Sequence, residues 1–144
     1  MSHQRKRARR AAVQALYQWQ LTQQNVREIE QQFIDEHGGT PTDMQFFHEL
    51  LTGVTSQLDE LDAAFEPFLD RKVDELDMVE RAVLRLSTFE LKSRLDIPFR
   101  VVINEGVDLA KTFGADQSYK YINGVLDKVA KQLRTLEQPN NSRK

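Results

Sequence analysis

The residues best suited to chemistry form a basic run near the start of the chain. Closely spaced cations suit a phosphate chain, because each contact between a Lys or Arg and a phosphate releases condensed counterions. Taken alone, the run is compatible with DNA, RNA, an anionic membrane surface or a solvated tail. It therefore predicts a polyanion-binding segment without identifying the polyanion. Its members are Arg5, Lys6, Arg7, Arg9 and Arg10.

The charge of the chain is unevenly distributed. Its net charge is −2, but residues 1–27 carry +6 whereas residues 28–144 carry −8. An acidic body repels nucleic acid except where its own bases cluster. Binding of nucleic acid should therefore be local and oriented by the basic run.

The basic run leads directly into an apolar helical pattern that includes Ala12 and Leu16. When this stretch is drawn as a helix at about 100° per residue, Lys6 and Arg9 fall inside the apolar arc. A guanidinium is rarely buried without a partner. The phasing therefore predicts that residues 1–10 form a basic arm that overhangs the folded body or frays as a mobile tail.

The sequence lacks the motifs that support most enzymatic reactions. It has no glycine-rich phosphate loop, no HExxH and no nucleophile elbow. The three histidines are isolated and the chain has no cysteine, so neither a metal site nor a disulfide is expected. The acids lie mostly on helix surfaces, and no catalytic pair stands out. We expect a protein without enzymatic activity, metal or cofactor.

Length and composition are typical of one globular domain. The chain has 144 residues, of which 40% are hydrophobic and 29% charged, enough to bury a sizeable core. No apolar run is long enough to span a membrane, and no secretory signal begins the chain. We expect a cytoplasmic protein with a single all-helical domain over residues 11–136 and a disordered polar tail over residues 137–144.

The hydrophobic periodicity predicts an all-α fold of six or seven helices. Asn25 opens a second helix, and Thr42 or Asp43 precedes a long helix whose apolar stripe runs from Phe47 to Leu61. The remaining predicted features are a short segment broken by Pro67, a helix from Asp74 or Asp77 to about Leu91, a helix from about Phe99 to Phe113 ending at Gly114, and a last helix capped by Asp116 or Ser118.

Gly53 lies inside the predicted long helix, at a propensity cost of about 1 kcal/mol relative to Ala. Close contact with another helix would offset this cost. An incidental surface glycine is an equally good interpretation.

Two aromatic positions are candidates for contact with nucleic acid. Tyr17 follows the cations by one or two helical turns, where its ring could stack on a base or pack at the edge of the core. Lys120 and Tyr121 stand near the start of the last helix, where the N–H groups and the dipole favour a phosphate. Packing at the helix start explains that pair equally well.

Two stretches resemble the NusB family of bacterial transcription antitermination proteins. They are ARRAAVQALYQWQ, residues 8–20, and AVLRLSTFELKSRLDIPFRVVINEGVDLAKTFGADQSYKYINGVLDKV, residues 82–129. VVINE, LAKTFG and NGVLDK occur in the family's order and spacing. With the middle helices, which agree mainly in pattern, the resemblance covers nearly the whole chain. It implies two packed helical bundles without enzymatic activity.

The resemblance also implies a function and a set of RNA contacts. The family binds the boxA element of nascent ribosomal RNA leader transcripts together with NusE, a small-subunit ribosomal protein. This complex joins other Nus factors and RNA polymerase, suppresses premature termination and assists early ribosome assembly. A carboxylate such as Glu80 can read bases, because it accepts hydrogen bonds from their amino groups. The positions implied for RNA are Arg5, Lys6, Arg7, Arg9, Arg10, Tyr17, Glu80, Gln117, Lys120 and Tyr121.

Three positions depart from the family pattern. Gly106 stands where alanine is expected, which should lower helix propensity without affecting function. Tyr121 stands where phenylalanine is usual. Gln117 stands where an acid is frequent, and we hypothesise that losing this acid strengthens RNA binding by removing repulsion.

The face that binds NusE is not apparent from residue spacing, and neither is the oligomeric state. An acidic surface suits a basic ribosomal protein, and we expect it around Glu66, Asp70, Asp74 and Glu75, although any solvated acidic face would look the same. Two other functions remain open. One is a protein scaffold whose basic run only aids solubility. The other is the RNA-anchoring domain of an rRNA methyltransferase, which is disfavoured because the sequence ends at Lys144 without a cofactor domain.

Overall fold

The computed structural model describes residues 2–135, which form seven α-helices. Two single 3₁₀ turns, Glu66–Phe68 and Val73–Glu75, lie between the fourth and fifth helices. No strand occurs within residues 2–135, so the all-α prediction is confirmed. The predicted tail over residues 137–144 lies outside the described residues. The helices are α1 (Ser2–Thr22), α2 (Val26–Glu36), α3 (Met44–Ser56), α4 (Leu58–Phe65), α5 (Met78–Ser93), α6 (Phe99–Phe113) and α7 (Ser118–Leu133).

The helices pack in two groups that share α5. Helices α1, α2 and α3 pack against one another, α4, α6 and α7 surround the other side, and α5 contacts both groups. Every residue from Ala82 to Leu91 on α5 is buried, as expected for a helix enclosed on all sides. The predicted pair of packed bundles is thus confirmed. Over the part of the chain described, no helix has both the length and the apolar character needed to cross a membrane.

Arg85, a charged residue of α5, is buried together with partners from two other helices. Arg85 donates from Nε and Nη2 to the two carboxylate oxygens of Asp62 on α4, both at 2.9 Å. Its Nη1 donates to Gln20 Oε1 on α1 at 2.9 Å. Buried charges persist where they are paired and hydrogen-bonded. These bonds therefore tie α1 and α4 to the central helix.

Side chains cap three helices, at Asn25 as the sequence predicts and at Asp43 and Asp77, each of which is one of two predicted candidates. Asn25 accepts from Arg27 N at 2.8 Å, Asp43 from Phe46 N at 3.0 Å, and Asp77 from Glu80 N at 2.8 Å. Each bond satisfies one of the free N–H groups of a first turn. These caps fix where α2, α3 and α5 begin.

The predicted cap of α7 is wrong. Gln117 occupies the position before the helix, with φ of 70° in the left-handed region and no side-chain capping bond. Asp116 precedes it, and Ser118 is the first residue of the helix. Ser118 does not cap because it already lies inside the helix, and its hydroxyl donates to Glu80 on α5.

The single long helix predicted through Phe47 and Leu61 is also wrong, because α3 ends at Ser56 and α4 begins at Leu58. Gln57 between them has φ of −121° and ψ of 28°, outside the helical region. Both helices pack on α5. The apolar stripe continues across the break, so periodicity alone does not reveal it.

Two glycines permit close approach of helices to α5. A Cβ on Gly53 would lie 2.3 Å from Phe89 Cε1, so of the two interpretations of Gly53 the close helix contact is correct. A Cβ on Gly106 would lie 2.7 Å from Ser87 Oγ and 3.0 Å from Leu126 Cδ1. Gly106 thus does more than lower helix propensity, because its missing methyl group leaves space for these side chains.

Candidate nucleic-acid interface

The basic run forms the first turns of α1, which is continuous from Ser2 to Thr22. Ala8 and Arg9 are buried at 0% and 3% exposure, so the prediction that residues 1–10 overhang the body is wrong. The backbone N–H of Asp43 also donates to Gln4 O at 3.2 Å, which holds the start of α1 against the loop before α3. The predicted boundary at residue 10 therefore falls inside a packed helix.

Arg9 is buried because Glu90 on α5 provides a complete partner. Arg9 Nε donates to Glu90 Oε2 at 2.9 Å, and Nη2 donates to Oε1 at 2.8 Å. The guanidinium also lies 5.1 Å from the ring centroid of Phe46 on α3. Burial raises the pKa of the Glu90 carboxyl, and the hydrogen bonds from Arg9 oppose that shift. Helical phasing detected the buried position but not the partner, which is 81 residues away.

The other four cations of the run differ in exposure and partners. Lys6 Nζ lies 2.8 Å from Glu105 Oε2 and 3.8 Å from Asp108 Oδ2. Arg5 lies 5.2 Å from the centroid of the Phe46 ring. Arg7 Nη1 donates to Pro41 O at 3.0 Å, and Arg10 is exposed. Of the five cations, Arg9 is structural and Lys6 is largely neutralised. The other three can reach a ligand, namely Arg5, Arg7 and Arg10.

A small cleft between α1 and α6 brings Lys6 and Arg10 together with Lys111 and the acids Glu105 and Asp108. Lys111 also lies 4.8 Å from the ring centroid of Tyr119 near the start of α7. The sequence reasoning did not select Lys111. The sequence offered one signal for Lys111 as a phosphate contact, which is its position in the last turn of α6. A cation at that position is ordinarily explained by its favourable interaction with the helix dipole.

Glu80 and the start of α7 meet through one hydrogen bond. Ser118 Oγ donates to Glu80 Oε2 at 2.8 Å, and Glu80 is only 8% exposed. Glu80 can therefore contact a base only through its small exposed surface or after Ser118 moves. Gln117 and Lys120, near Ser118 in the sequence, are exposed.

Tyr121 joins the predicted RNA segment to the predicted partner surface. Its hydroxyl donates to Asp70 Oδ1 at 2.9 Å, and Arg71 Nε donates to the same oxygen at 2.6 Å. Arg71 also lies 4.8 Å from the Tyr121 ring centroid. The hydrogen bond from Arg71, followed by that from Tyr121, lowers the pKa of Asp70 to about 2. Desolvation raises the pKa of Tyr121. The hydroxyl that phenylalanine would lack thus links the two surfaces.

The four predicted partner residues are exposed around the 3₁₀ turns before α5. Glu66 Oε2 accepts from Val73 N at 3.2 Å, and Glu75 Oε1 accepts from Lys72 N at 2.8 Å. Asp70 is bound by Arg71 and Tyr121, and Asp74 is exposed. Three of these acids therefore also hold the connecting segment in its fold.

Tyr17 is 40% exposed and lines a groove between α1 and α2. The hydroxyl of Tyr17 makes no hydrogen bond within the described residues. Within residues 2–135, no group of three or more His, Asp and Glu side chains is placed to hold a metal ion. The arrangement offers cations, an aromatic face and hydrogen-bonding groups.

Cations and an exposed aromatic ring on adjoining helices of an all-α fold are features suited to binding nucleic acid. Residues 6–131 match the model of the NusB family. This chain belongs to the NusB family, whose curated relatives are transcription antitermination proteins.

The similarity extends over nearly the full length of known relatives. The transcription antitermination protein NusB of Alcanivorax borkumensis is 56% identical over 92% of this chain and 89% of its own length. That of Edwardsiella ictaluri is 52% identical over 90% of this chain and 94% of its own.

Solved structures agree with the sequence matches. A chain in the crystal structure of antitermination factors NusB and NusE in complex with double-stranded RNA is 30% identical, with a TM-score of 0.82 over 92% of this chain and 99% of that one. NusB of T. maritima is 31% identical, with a TM-score of 0.75 over 88% of this chain and 90% of that one. The expected NusB-like fold is thus confirmed.

Proposed function

We propose that this chain binds the boxA element of nascent ribosomal RNA leader transcripts together with NusE. In that complex it promotes processive rRNA transcription and early ribosome assembly. The observation that carries the proposal is the likeness of 92% of this chain to a chain in the structure of NusB and NusE in complex with double-stranded RNA. Binding and positioning are sufficient for this function, and no bond needs to be broken.

The charged faces of α1 and α6 support a role in holding phosphates. Arg7 and Arg10 present cations from α1, and Lys111 adds one from α6. Contacts to phosphates position a nucleic acid but carry no sequence information. Selectivity for boxA would then come from groups that reach bases, for which Tyr17 and the segment from Gln117 to Tyr121 are the candidates.

The exposed acids before α5 support binding of NusE, because a basic ribosomal protein complements their charge. They are Glu66, Asp70, Asp74 and Glu75. Since Asp70 is bonded to Tyr121, NusE and RNA would contact adjoining surfaces. We further propose that the complex acts in the cytoplasm with other Nus factors and RNA polymerase.

A mobility-shift assay with a boxA RNA and a scrambled RNA of the same composition tests the proposal, with and without NusE. We expect boxA to bind more tightly and NusE to increase the difference. Equal binding of both RNAs under both conditions would refute the function.

Alanine variants identify the phosphate contacts in the same assay. Arg10→Ala should weaken binding of both RNAs, because a phosphate contact is lost whatever the base sequence. Arg27→Ala removes an exposed arginine from the start of α2 and serves as the matched control. If Arg10→Ala leaves RNA binding unchanged, Arg10 does not contact phosphate. A scaffold whose basic run only aids solubility is favoured instead if the wild type binds NusE but neither RNA.

A further inference from the structure

Arg71 lies between the surface proposed above for NusE and the segment proposed for RNA, and it belongs to neither set. It follows Asp70, one of the four partner acids. Its guanidinium lies 4.8 Å from the ring centroid of Tyr121, in the RNA segment. The sequence gave no reason to select Arg71, because an arginine beside an aspartate is ordinarily a solvated pair.

Asp70 holds the guanidinium of Arg71. Arg71 Nε donates to Asp70 Oδ1 at 2.6 Å, and Nη2 donates to Oδ2 at 3.1 Å. An arginine binds a phosphate with the same two-point geometry. The hydrogen bonds to Asp70 raise the pKa of Arg71, so the cation stays charged while these N–H groups are occupied. A phosphate must therefore compete with Asp70 for this guanidinium.

Tyr121 supports both members of the pair. Its hydroxyl donates to Asp70 Oδ1 at 2.9 Å and accepts from Asp70 N at 3.3 Å, and phenylalanine could make neither bond. Its ring carries the guanidinium of Arg71 through a cation–π contact. The ring contact does not require Asp70, so Arg71 keeps one support when the acid is engaged by another group.

The pair between Arg71 and Asp70 is open to exchange. Their side chains are 40% and 65% exposed, and an exposed ion pair contributes little to stability. Asp70 also borders a groove of about 480 Å³ between the first 3₁₀ turn and α7. Lys120 and Lys128 line the α7 side of this groove. A cationic side chain of a partner is therefore attracted to Asp70 and repelled by the opposite wall.

The start of α7 adds positive potential close to Arg71. Lys120 is exposed, and no side chain caps the helix at Gln117. The free N–H groups of a first turn and the helix dipole attract anions. Glu80 opposes this potential, since it also attracts Arg71, but its carboxylate accepts a hydrogen bond from Ser118. A guanidinium released from Asp70 is thus close to groups that favour a phosphate.

We propose that Arg71 is an RNA-binding residue whose phosphate contact is blocked by Asp70 and is released when a cationic side chain of NusE binds that carboxylate. The released guanidinium stays against the ring of Tyr121 and binds a phosphate of the boxA RNA. The proposal rests on the function proposed above and gives a physical reason for NusE to strengthen RNA binding. By linkage, RNA bound at Arg71 strengthens binding of NusE by the same factor.

Replacement of the arginine, with and without NusE, tests the release. Affinity for a boxA RNA is measured by filter binding for the wild type and Arg71→Gln, on the free protein and on the complex with saturating NusE. We expect Arg71→Gln to weaken binding by the complex roughly 2- to 10-fold and binding by the free protein by a smaller factor. In the complex, its slope of log K against log salt concentration should be shallower by about 0.7.

Arg27→Gln removes an exposed arginine from α2 and is the matched control. Equal losses from Arg71→Gln in the free protein and in the complex would overturn the release by NusE. No loss in either state would overturn the RNA contact.

Removal of the acid tests the block. Asp70→Asn should strengthen RNA binding by the free protein, because Arg71 is released without NusE, and should reduce the further gain that NusE gives. Combining Asp70→Asn with Arg71→Gln should abolish this strengthening. Asp59→Asn removes an exposed acid from α4 and controls for net charge. If Asp70→Asn strengthens binding equally when Arg71 is replaced, the effect is one of charge alone and the proposal fails.

Tyr121→Phe keeps the ring and removes both bonds to Asp70. It should strengthen RNA binding by the free protein, but by a smaller factor than Asp70→Asn, and weaker binding would contradict the role of the hydroxyl. Melting temperatures equal to that of the wild type verify the fold of each variant. Failure of boxA selectivity in the wild type refutes the proposed function itself. Intact selectivity, with wild-type affinity of Arg71→Gln in the NusE complex, refutes only the role of Arg71.

Discussion

Arg9 and Arg10 are adjacent residues of one basic run with different roles. Arg9 is buried and makes two hydrogen bonds to Glu90, whereas Arg10 is exposed beside Lys6 and Lys111. Removing one member of a buried pair leaves the other charge uncompensated and is strongly destabilising. Arg9 therefore belongs to the fold, and loss of RNA binding after its mutation would not identify an RNA contact.

Asp70 provides a test of one ion pair through its titration. Hydrogen bonds from Arg71 and Tyr121 lower its pKa in the folded protein to about 2, below the ordinary value of 3.8. The resulting stabilisation is fully present above the unfolded pKa and is lost as the pH falls from about 4 through about 2. In a carboxyl NMR titration, we expect Asp70 to have a midpoint of about 2.

Variants separate the causes of this shift. Arg71→Gln should raise the Asp70 midpoint most, because the Arg71 hydrogen bond is the largest cause, and Tyr121→Phe should raise it less. Asp96, whose pKa is lowered by Arg94, should be unaffected by either change and is the internal control. A wild-type Asp70 midpoint near 3.8 would contradict the hydrogen bonds described.

At the scale of helices, Gly53 sets the distance between α3 and α5. In Gly53→Ala the new methyl group would meet the Phe89 ring at 2.3 Å. Overpacking of a core costs about 1–3 kcal/mol, which outweighs the gain in helix propensity of about 1 kcal/mol. We expect a lower free energy of unfolding in urea.

Gly124 is the matched control for this prediction. It lies within α7, where an added Cβ would meet no atom within 4 Å. Gly124→Ala should therefore raise the free energy of unfolding by up to about 1 kcal/mol. Equal stabilisation by both alanines would mean that α3 can move away from α5 without cost.

At the scale of the whole molecule, the acidic body neutralises part of its own basic face. Glu105 lies 2.8 Å from Lys6 Nζ and 3.8 Å from Arg9 Nη1, and Glu90 is paired with Arg9. The charge of +6 over residues 1–27 therefore overstates what RNA encounters. A phosphate must therefore compete with Glu105 for the charge of Lys6.

Glu105→Gln should consequently strengthen RNA binding. It frees Lys6 as a phosphate ligand, so the slope of log K against log salt concentration should become steeper by about 0.7 for a single strand. The slope is measured by filter binding across a series of salt concentrations. Asp127→Asn removes an exposed acid from α7 and controls for net charge. The same slope in wild type and Glu105→Gln would exclude competition by Glu105.

The sequence alone determined the features that depend on neighbours along the chain. Apolar periodicity predicted the all-α fold, and Asn25 marked a helix start that the structure confirms. For α5 the sequence left Asp74 and Asp77 as alternatives, of which the structure selects Asp77. The phasing of the basic run also placed Arg9 in the apolar arc of α1, where the structure buries it. The overhanging arm inferred from this conflict was wrong, because phasing does not reveal Glu90 as a partner. These signals act within one or two helical turns, so no knowledge of the fold is needed to detect them.

Only the tertiary structure decided which distant residues meet. Four kinds of feature depend on how the helices cross. They are the bond from Arg9 to Glu90, the clefts lined by Lys111 and by His37, the break between α3 and α4 at Gln57, and the hydrogen bond from Tyr121 to Asp70. The physical reason is that a charge or a polar group takes whichever partner packing brings within hydrogen-bonding distance. Periodicity records which side of a helix is buried, but not what lies against it.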